Sequence, residues 1–368
     1  KGNGDEKLEN VFTKNDVDLL RTTAIYGANA SGKTNILKAF TCAILMIRNS
    51  NFMNATDKWF SIKPFLFDKK ASKEPSEFEF IFIANDVKYR YFFSADANKI
   101  YDEILDAYYT QKPTNIFTRT NTNDYEFNND KSKLESIAAK NTDNKLFLTT
   151  ATTWNYDKTK DAFLWFSEKI DTYDSFDKIS DQDLIEYSKN DGELKEFALK
   201  LLKEADIFIK DIHVDYEEKE MDNAMMDMLI PPLARTNGTF KMSNVRIELE
   251  HEITDENKNK HIYSLNFNDE SSGTRTLFAL APFLKRAFES TKTIVVDELE
   301  KSMHPALVEF IVKLFNDKTI NKANSQLIFI THATNLLTIE LLRRDQIWFT
   351  EKNPDTGVSE LYPLDSFS

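Results

Sequence analysis

The sequence is short of glycine, with eight glycines in 368 residues, where average usage would place roughly three times as many. Two of the eight, Gly27 and Gly32, stand in one eight-residue string, and a third, Gly273, follows a pair of serines. In a sequence with so few glycines, the glycines that are present indicate positions where the backbone turns sharply or approaches a phosphate closely. We therefore expect these three glycines to mark binding sites.

Cysteine and long apolar runs are also scarce. The single cysteine, Cys42, lies in an apolar helical pattern and cannot form an intramolecular disulfide, so we expect a reducing, cytoplasmic location. The sequence contains no uncharged apolar window of about 18 residues, which predicts no transmembrane helix and no membrane partner. No signal peptide is evident, although the chain begins at Lys1 rather than at methionine.

The charge balance is acidic, with 60 Asp and Glu against 47 Lys and Arg and a net charge of −13. This argues against a protein covered with nucleic acid or anionic lipid over its whole surface, but it leaves DNA open as a partner of a local basic patch. Cysteine and histidine do not occur at metal-ligand spacing, so Mg²⁺ is the one metal that the sequence implies.

The string Gly27–Thr34 is a complete phosphate-binding loop, G-x-x-x-x-G-K-[ST]. A strand pattern at residues 22–26 precedes it and a helical pattern at residues 35–47 follows it, as this motif requires. Lys33 offers a charge to the β- and γ-phosphates, and the Thr34 hydroxyl is placed to ligate Mg²⁺. We therefore predict ATP binding by Gly27, Asn29, Ala30, Ser31, Gly32, Lys33, Thr34 and Asn35.

A second apolar strand pattern, at residues 293–296, ends in two carboxylates, Asp297 and Glu298. Without the phosphate loop, a strand that happens to end in Asp-Glu would be the default interpretation. With the loop, the position matters, because α/β sheets bind ligands at the carboxyl ends of their strands. We predict that Asp297 holds Mg²⁺ and that Glu298 polarises the attacking water, a role worth roughly 10²–10⁴ in rate.

Two further elements indicate the class of ATPase. The run Glu270–Thr274 opens a predicted helix and, taken alone, is a helix N-cap. Before an acidic strand end it resembles the ABC signature motif, which completes the nucleotide pocket of the neighbouring subunit, and this assigns Ser271, Ser272 and Gly273 to ATP binding. The next strand pattern ends in His332, which resembles the ABC switch histidine and is our second predicted catalytic residue.

The segments between these motifs predict the architecture. Apolar and polar residues alternate from about residue 60 to 119, with a turn at Asn85-Asp86, which is typical of an antiparallel meander. Helical patterns follow from about residue 131 to 205. We predict an α/β fold, with an ABC-type P-loop ATPase core, an antiparallel β subdomain and a helical insertion. The expected divisions are an N-terminal ATPase lobe (1–120), a helical insertion (121–210) and a C-terminal ATPase lobe (211–368).

Four stretches together resemble one family: IYGANASGKTNILK (25–38), SSGTRTLF (271–278), DELEKSMHP (297–305) and RDQIWF (344–349). The family is that of bacterial AAA/ABC-like ATP-binding proteins of the RloA or abortive-infection type, relatives of the OLD, RecF and SMC ATPases. The ATPase subunit of the PARIS defence system is one candidate of this kind. The resemblance implies a Mg²⁺-dependent ATPase that dimerises, or forms a higher oligomer, around two ATP molecules. It also implies an anti-phage role with a nuclease or toxin partner.

The sequence departs from the family pattern in two ways. No glutamine follows the first helix at the distance of the ABC Q-loop, and we expect a residue near Ser61 to Phe65 to take its place. Family members usually have two more strands before the region of Lys1 and continue past Ser368, so we expect both ends to be trimmed.

Three other functions compete with the defence switch. A RecF- or SMC-like DNA-repair ATPase that acts directly on DNA is the main alternative, but the acidic balance and the lack of long heptad repeats argue against it. A scaffold that binds ATP without hydrolysis is disfavoured by the complete set of Lys33, Thr34, Asp297 and Glu298. The long segment between loop and signature disfavours a transporter subunit.

Overall fold

The computed structural model describes residues 8–173, 179–189, 192–220, 241–300, 303–338 and 341–367. These residues form two compact units. The first unit takes its described residues from 1–174, 290–299 and 312–368, and the second from 175–289 and 300–311. The expected boundaries at residues 120 and 210 divide the chain by motif rather than by packing, and they stay a prediction.

Runs of strands and runs of helices follow one another along the described chain, and single helices separate single strands only around β13. The α-helices are α1 (Lys33–Asn49), α2 (Lys131–Ala138), α3 (Phe147–Thr153), α4 (Asp157–Leu164), α5 (Asp181–Tyr187), α6 (Glu193–Glu204), α7 (Ser272–Glu289) and α8 (Pro305–Asn316). A π-helical turn, Trp165–Lys169, continues α4. The first eight strands are β1 (Val11–Lys14), β2 (Val17–Leu20), β3 (Thr22–Gly27), β4 (Ser76–Ala84), β5 (Val87–Ala95), β6 (Ile100–Tyr108), β7 (Thr114–Thr120) and β8 (Asp124–Glu126). The others are β9 (Ile170–Tyr173), β10 (Asp211–Glu220), β11 (Lys241–Thr254), β12 (Lys260–Asn266), β13 (Thr293–Val296), β14 (Gln326–Ile330), β15 (Ile347–Lys352) and β16 (Ser359–Pro363).

A six-stranded sheet forms the centre of the first unit, in the order β16-β15-β3-β14-β13-β9. All neighbours are parallel except the edge strand β16, which is antiparallel to β15. The apolar runs of β3, β13 and β14 are largely buried, as parallel strands covered on both faces should be. Ile25 pairs with Ile330 and Phe329 with Val296, so β3, β14 and β13 end side by side at one edge of the sheet.

Helix α1, which follows the phosphate loop, contacts β3, β9 and β13. Its buried side chains recur at helical spacing and include Leu37, Ile44 and Ile47, which is the apolar stripe that the sequence predicts. Arg48, in the last turn, donates to the carbonyl of Phe166 at 2.8 Å. This bond ties the end of the helix to the π-helical turn.

The antiparallel subdomain is a meander in the order β4-β5-β6-β7-β8. Asn85 and Asp86 form the tight turn between β4 and β5, and both have positive φ, at 45° and 58°, as a two-residue hairpin turn demands. The turn and the meander are therefore confirmed. The first strand of the meander begins at Ser76, later than the alternation from residue 60 predicts.

A buried ion pair connects this meander to α3. Glu103 and Arg119 have fully buried side chains, with their charged atoms 3.6 Å apart. The Glu103 carboxylate accepts hydrogen bonds from the N–H groups of Phe147 and Leu148 at 2.6 and 2.8 Å, at the start of α3. Burial raises the pKa of Glu103, while Arg119 and these donors act in the opposite direction. The pair thus anchors a helix N-terminus to the sheet.

The second unit contains the three-stranded sheet β10-β11-β12 and the helices α5, α6 and α7. Helix α6 packs on α7, and the ring of Tyr187 in α5 stacks on Phe278 of α7 with centroids 4.3 Å apart. The Tyr187 hydroxyl also donates to the Phe278 carbonyl at 2.8 Å. These contacts seat α7, which begins at the predicted signature.

The fold class is confirmed: an α/β, ABC-type P-loop ATPase core with an antiparallel β subdomain and a helical insertion. The insertion also supplies β9, a strand that its helical pattern does not predict and that pairs with β13. The β1–β2 hairpin and β12 were not predicted either. Among the described helices, none has the length and apolar character needed to cross a membrane.

Candidate nucleotide site

The phosphate-loop string forms a sharp turn between β3 and α1. Gly32, just before the helix, has φ 105°, a backbone conformation that strains any other residue. A Cβ at Gly32 would lie 2.6 Å from Ser359 Oγ, and a Cβ at Gly27 would lie 2.6 Å from the carbonyl oxygen of Thr350. Gly27 is therefore required by packing against β15, and Gly32 is required both by the turn and by packing against β16.

The side chains of the loop are held by bonds within the first unit. The buried ammonium of Lys33 donates to the carbonyls of Gly27 and Ala28 at 2.6 and 2.9 Å. Ser31 shares a 2.6 Å hydrogen bond with the Thr350 hydroxyl on β15. Four predicted residues are exposed, namely Asn29 and Ala30 in the turn and Thr34 and Asn35 in the first turn of α1. The loop thus presents a supported backbone and an exposed hydroxyl to a ligand.

Asp297 and Glu298 follow β13 directly. The Asp297 side chain is buried, and its Oδ1 has no hydrogen-bond donor among the described residues. A buried acceptor without a donor is costly, so this carboxylate fits a cation ligand, and carboxylate oxygen is the donor that Mg²⁺ prefers. Glu298 is exposed and has φ 47°, a rare conformation for a non-glycine residue that is found preferentially at functional sites.

His332 lies just beyond the strand between these two elements. It follows β14 and is exposed, and the preceding Thr331 donates its N–H to the carbonyl of Ile25 at 3.1 Å. Because β14 separates β3 from β13 and neighbouring strands lie about 4.8 Å apart, Asp297 is about 10 Å from the end of β3. The sheet therefore brings the phosphate loop, His332 and the Asp297-Glu298 pair to one edge.

The predicted signature residues belong to the second unit. Ser271 is the N-cap of α7, since its Oγ accepts the N–H of Thr274 at 3.1 Å. A Cβ at Gly273 would meet only Ser271 Oγ, at an ordinary 3.8 Å. Ser271 and Ser272 are exposed. Unlike Gly27 and Gly32, Gly273 has no packing reason within the described residues to be glycine.

Several residues that contact the predicted site residues, or a neighbour of them in the chain, were missed by sequence reasoning. His251 on β11 pairs with Glu270 at 2.6 Å, directly before the signature, and Thr350 and Ser359 support the loop from distant strands. All are long-range partners with no local motif, so no sequence signal marks them. Within DELEKSMHP (297–305), one of the four stretches that carry the family resemblance, Ser302 lies outside the described residues.

The parallel sheet, the loop and the acidic strand end define a P-loop ATPase of AAA/ABC type. The family model described as "AAA domain, putative AbiEii toxin, Type IV TA system" matches residues 22–338, and the chain belongs to this family. The match confirms the expected AAA/ABC-like ATP-binding protein of abortive-infection type.

Two solved structures are similar over nearly the whole chain. The SMC head domain from Thermotoga maritima is 12% identical with a TM-score of 0.42, over 94% of this chain and 92% of that one. The SMC head bound to the C-winged helix domain of ScpA is 15% identical with a TM-score of 0.38, again over 94% and 92%. No curated protein matches the sequence significantly.

Proposed function

We propose that this protein hydrolyses ATP as the switch subunit of an anti-phage, abortive-infection system and controls a nuclease or toxin partner. One observation carries the ATPase part: the phosphate loop and the Asp297-Glu298 pair follow β3 and β13, which end at the same edge of the sheet with only β14 between them. The family, whose members are described as putative AbiEii toxins of a type IV toxin–antitoxin system, supports the defence setting.

Each residue at this edge has a proposed task. On nucleotide binding, Lys33 exchanges its bonds to the Gly27 and Ala28 carbonyls for phosphate oxygens. Thr34 and Asp297 hold Mg²⁺, which neutralises phosphate charge when bound. Glu298 accepts a proton from the attacking water, and His332 donates a hydrogen bond to the γ-phosphate.

The signature residues act between subunits in this proposal. Ser271, Ser272 and Gly273 of one subunit close on the nucleotide held by the loop of another, in a dimer or a higher oligomer. The lack of close packing at Gly273 among the described residues supports this, because backbone without a side chain lets a phosphate approach closely. The helical insertion, about residues 120 to 210, is then available to contact the effector.

The test is the solution mass of Glu298→Gln with and without Mg-ATP, measured by light scattering on a sizing column. Loss of the base stops turnover, so we expect the ATP-bound form to accumulate at twice the mass found without ATP. The control is Glu77→Gln, a substitution at an exposed position of β4, which should release phosphate from ATP at the wild-type rate.

Three outcomes would contradict parts of the proposal. Unchanged turnover in Glu298→Gln would remove the role of Glu298, and a mass insensitive to ATP would remove the sandwich. A salt-dependent shift of DNA mobility by the purified protein would favour the DNA-repair alternative instead.

A further inference from the structure

The connection between α1 and the antiparallel subdomain exposes three consecutive apolar side chains, Phe65, Leu66 and Phe67. Leu66 and Phe67 are 76% and 75% exposed. Phe65 and Phe67 make an edge-to-face contact, with centroids 5.6 Å apart and an interplanar angle of 84°. Contiguous apolar side chains exposed on a protein surface often mark a binding site when the patch is large.

The contacts of Phe67 show where this patch lies. Its ring packs on the turn between β15 and β16, so closely that a Cβ at Gly357 would lie 2.8 Å from Phe67 Cδ2. Gly357 has φ 71°, and the Lys352 ammonium lies 5.5 Å from the ring centroid. The turn therefore supports one side of the ring, while most of the ring stays open to solvent.

The β15–β16 hairpin that supports Phe67 also supports the phosphate loop. Thr350 on β15 bonds to Ser31, and Ser359 on β16 packs against Gly32. Only Val358 separates Ser359 from Gly357, a span of about 7 Å of extended chain. The ring and the phosphate loop thus contact the same hairpin at positions two residues apart, a separation within the length of a nucleotide's sugar and base.

We propose that Phe67 is the stacking surface for the base of the nucleotide whose phosphates bind at Gly27–Thr34, an inference that rests on the proposed function. A phenyl ring offers an aromatic face and no hydrogen-bonding atoms, so it stacks on any base without reading its edge. Lys352 holds the ring by a cation–π contact. Phe67 therefore contributes affinity for purine nucleotides with little choice between adenine and guanine.

The test compares ligands with and without a base by isothermal titration calorimetry on the full chain. The probes are the non-hydrolysable imido analogues of ATP and GTP and inorganic tripolyphosphate, each with Mg²⁺. We expect Phe67→Ala to lower the affinity for both nucleotides by about tenfold or more and to leave the affinity for tripolyphosphate unchanged. We expect Phe67→Trp to retain the wild-type affinity for nucleotides. The matched control is Phe52→Ala, which removes an equally exposed ring just beyond the far end of α1, about 25 Å along the helix from the loop.

The outcomes separate this inference from the proposed function. If wild-type protein binds tripolyphosphate and nucleotides but Phe67→Ala binds nucleotides equally well, the stacking role is wrong and the ATPase proposal stands. A parallel loss of tripolyphosphate affinity in Phe67→Ala also overturns stacking, since it means that the ring shapes the loop. If wild-type protein binds none of the three probes, the proposed function fails and the base site fails with it.

Discussion

Replacing Gly273 by alanine should weaken assembly without weakening the fold. Among the described residues, nothing closer than 3.8 Å opposes a Cβ at this position in the first turn of α7, and alanine is favoured over glycine by at most roughly 0.5–1 kcal/mol, the value for a helix interior. We therefore expect Gly273→Ala to unfold about 1–2 °C higher than wild type. In the proposed sandwich the same methyl group faces a nucleotide, and overpacking costs about 1–3 kcal/mol at each of the two interfaces.

Two assays on one pair of proteins measure both effects. Thermal unfolding followed by circular dichroism reports the fold, and light scattering with Mg-ATP in the Glu298→Gln background reports the dimer. We expect a fold slightly more stable than that of the parent and a dimer weakened by at least tenfold. A Gly273→Ala protein that dimerises as well as its parent would refute the reasoning, because the open space at Gly273 would then have no function.

Gly32→Ala is the opposite case, since φ 105° at this position is strained for alanine by about 1–3 kcal/mol and the added Cβ overlaps Ser359. The affinity of the monomer for nucleotide should therefore fall, as an equilibrium binding measurement would report. Arg119→Met leaves a buried carboxylate without its charged partner, so urea unfolding should show a loss of about 3–5 kcal/mol. Hydrogen bonds from two lysines lower the pKa of Glu252 to about 2. The ionised carboxylate therefore stabilises the sheet fully above the ordinary carboxyl pKa, and this stabilisation is lost as the pH falls towards 2. Hydrogen exchange of β12 should follow that pH dependence in wild type and not in Glu252→Gln. Asp297→Asn should retain ATP binding in EDTA but lose the gain that Mg²⁺ brings, as calorimetry would detect.

The parts of the site that sequence reasoning located share a physical cause. Each lies directly after a buried parallel strand, and the carboxyl ends of such strands must meet at one edge of a sheet. This is why Gly27–Thr34, Asp297, Glu298 and His332 could be grouped before the sheet order was known. Strands β3, β13 and β14 carry strong local patterns because both of their faces are buried.

The elements that were missed have weak local patterns and depend on distant partners. Strand β9 has four residues, IDTY, with one fully buried side chain, and it follows a helical stretch. Strand β12 is exposed along its whole length, so it lacks the apolar alternation that marks a half-buried strand. Both form by pairing with neighbours, β13 and β11, whose positions only the folded chain determines.

The stretch RDQIWF, which entered the family resemblance without a role, acquires one from its contacts. Gln346 is fully buried and donates to the Thr22 carbonyl at 2.8 Å, while its Oε1 accepts a bond from Asn10 at 2.7 Å. These bonds seat the start of β15 against the start of β3. The parallel register that follows pairs Thr350 with Gly27, which brings the Thr350 hydroxyl to Ser31. A motif some 320 residues from the phosphate loop thus sets the position of the hairpin that supports the loop and, in our proposal, the base.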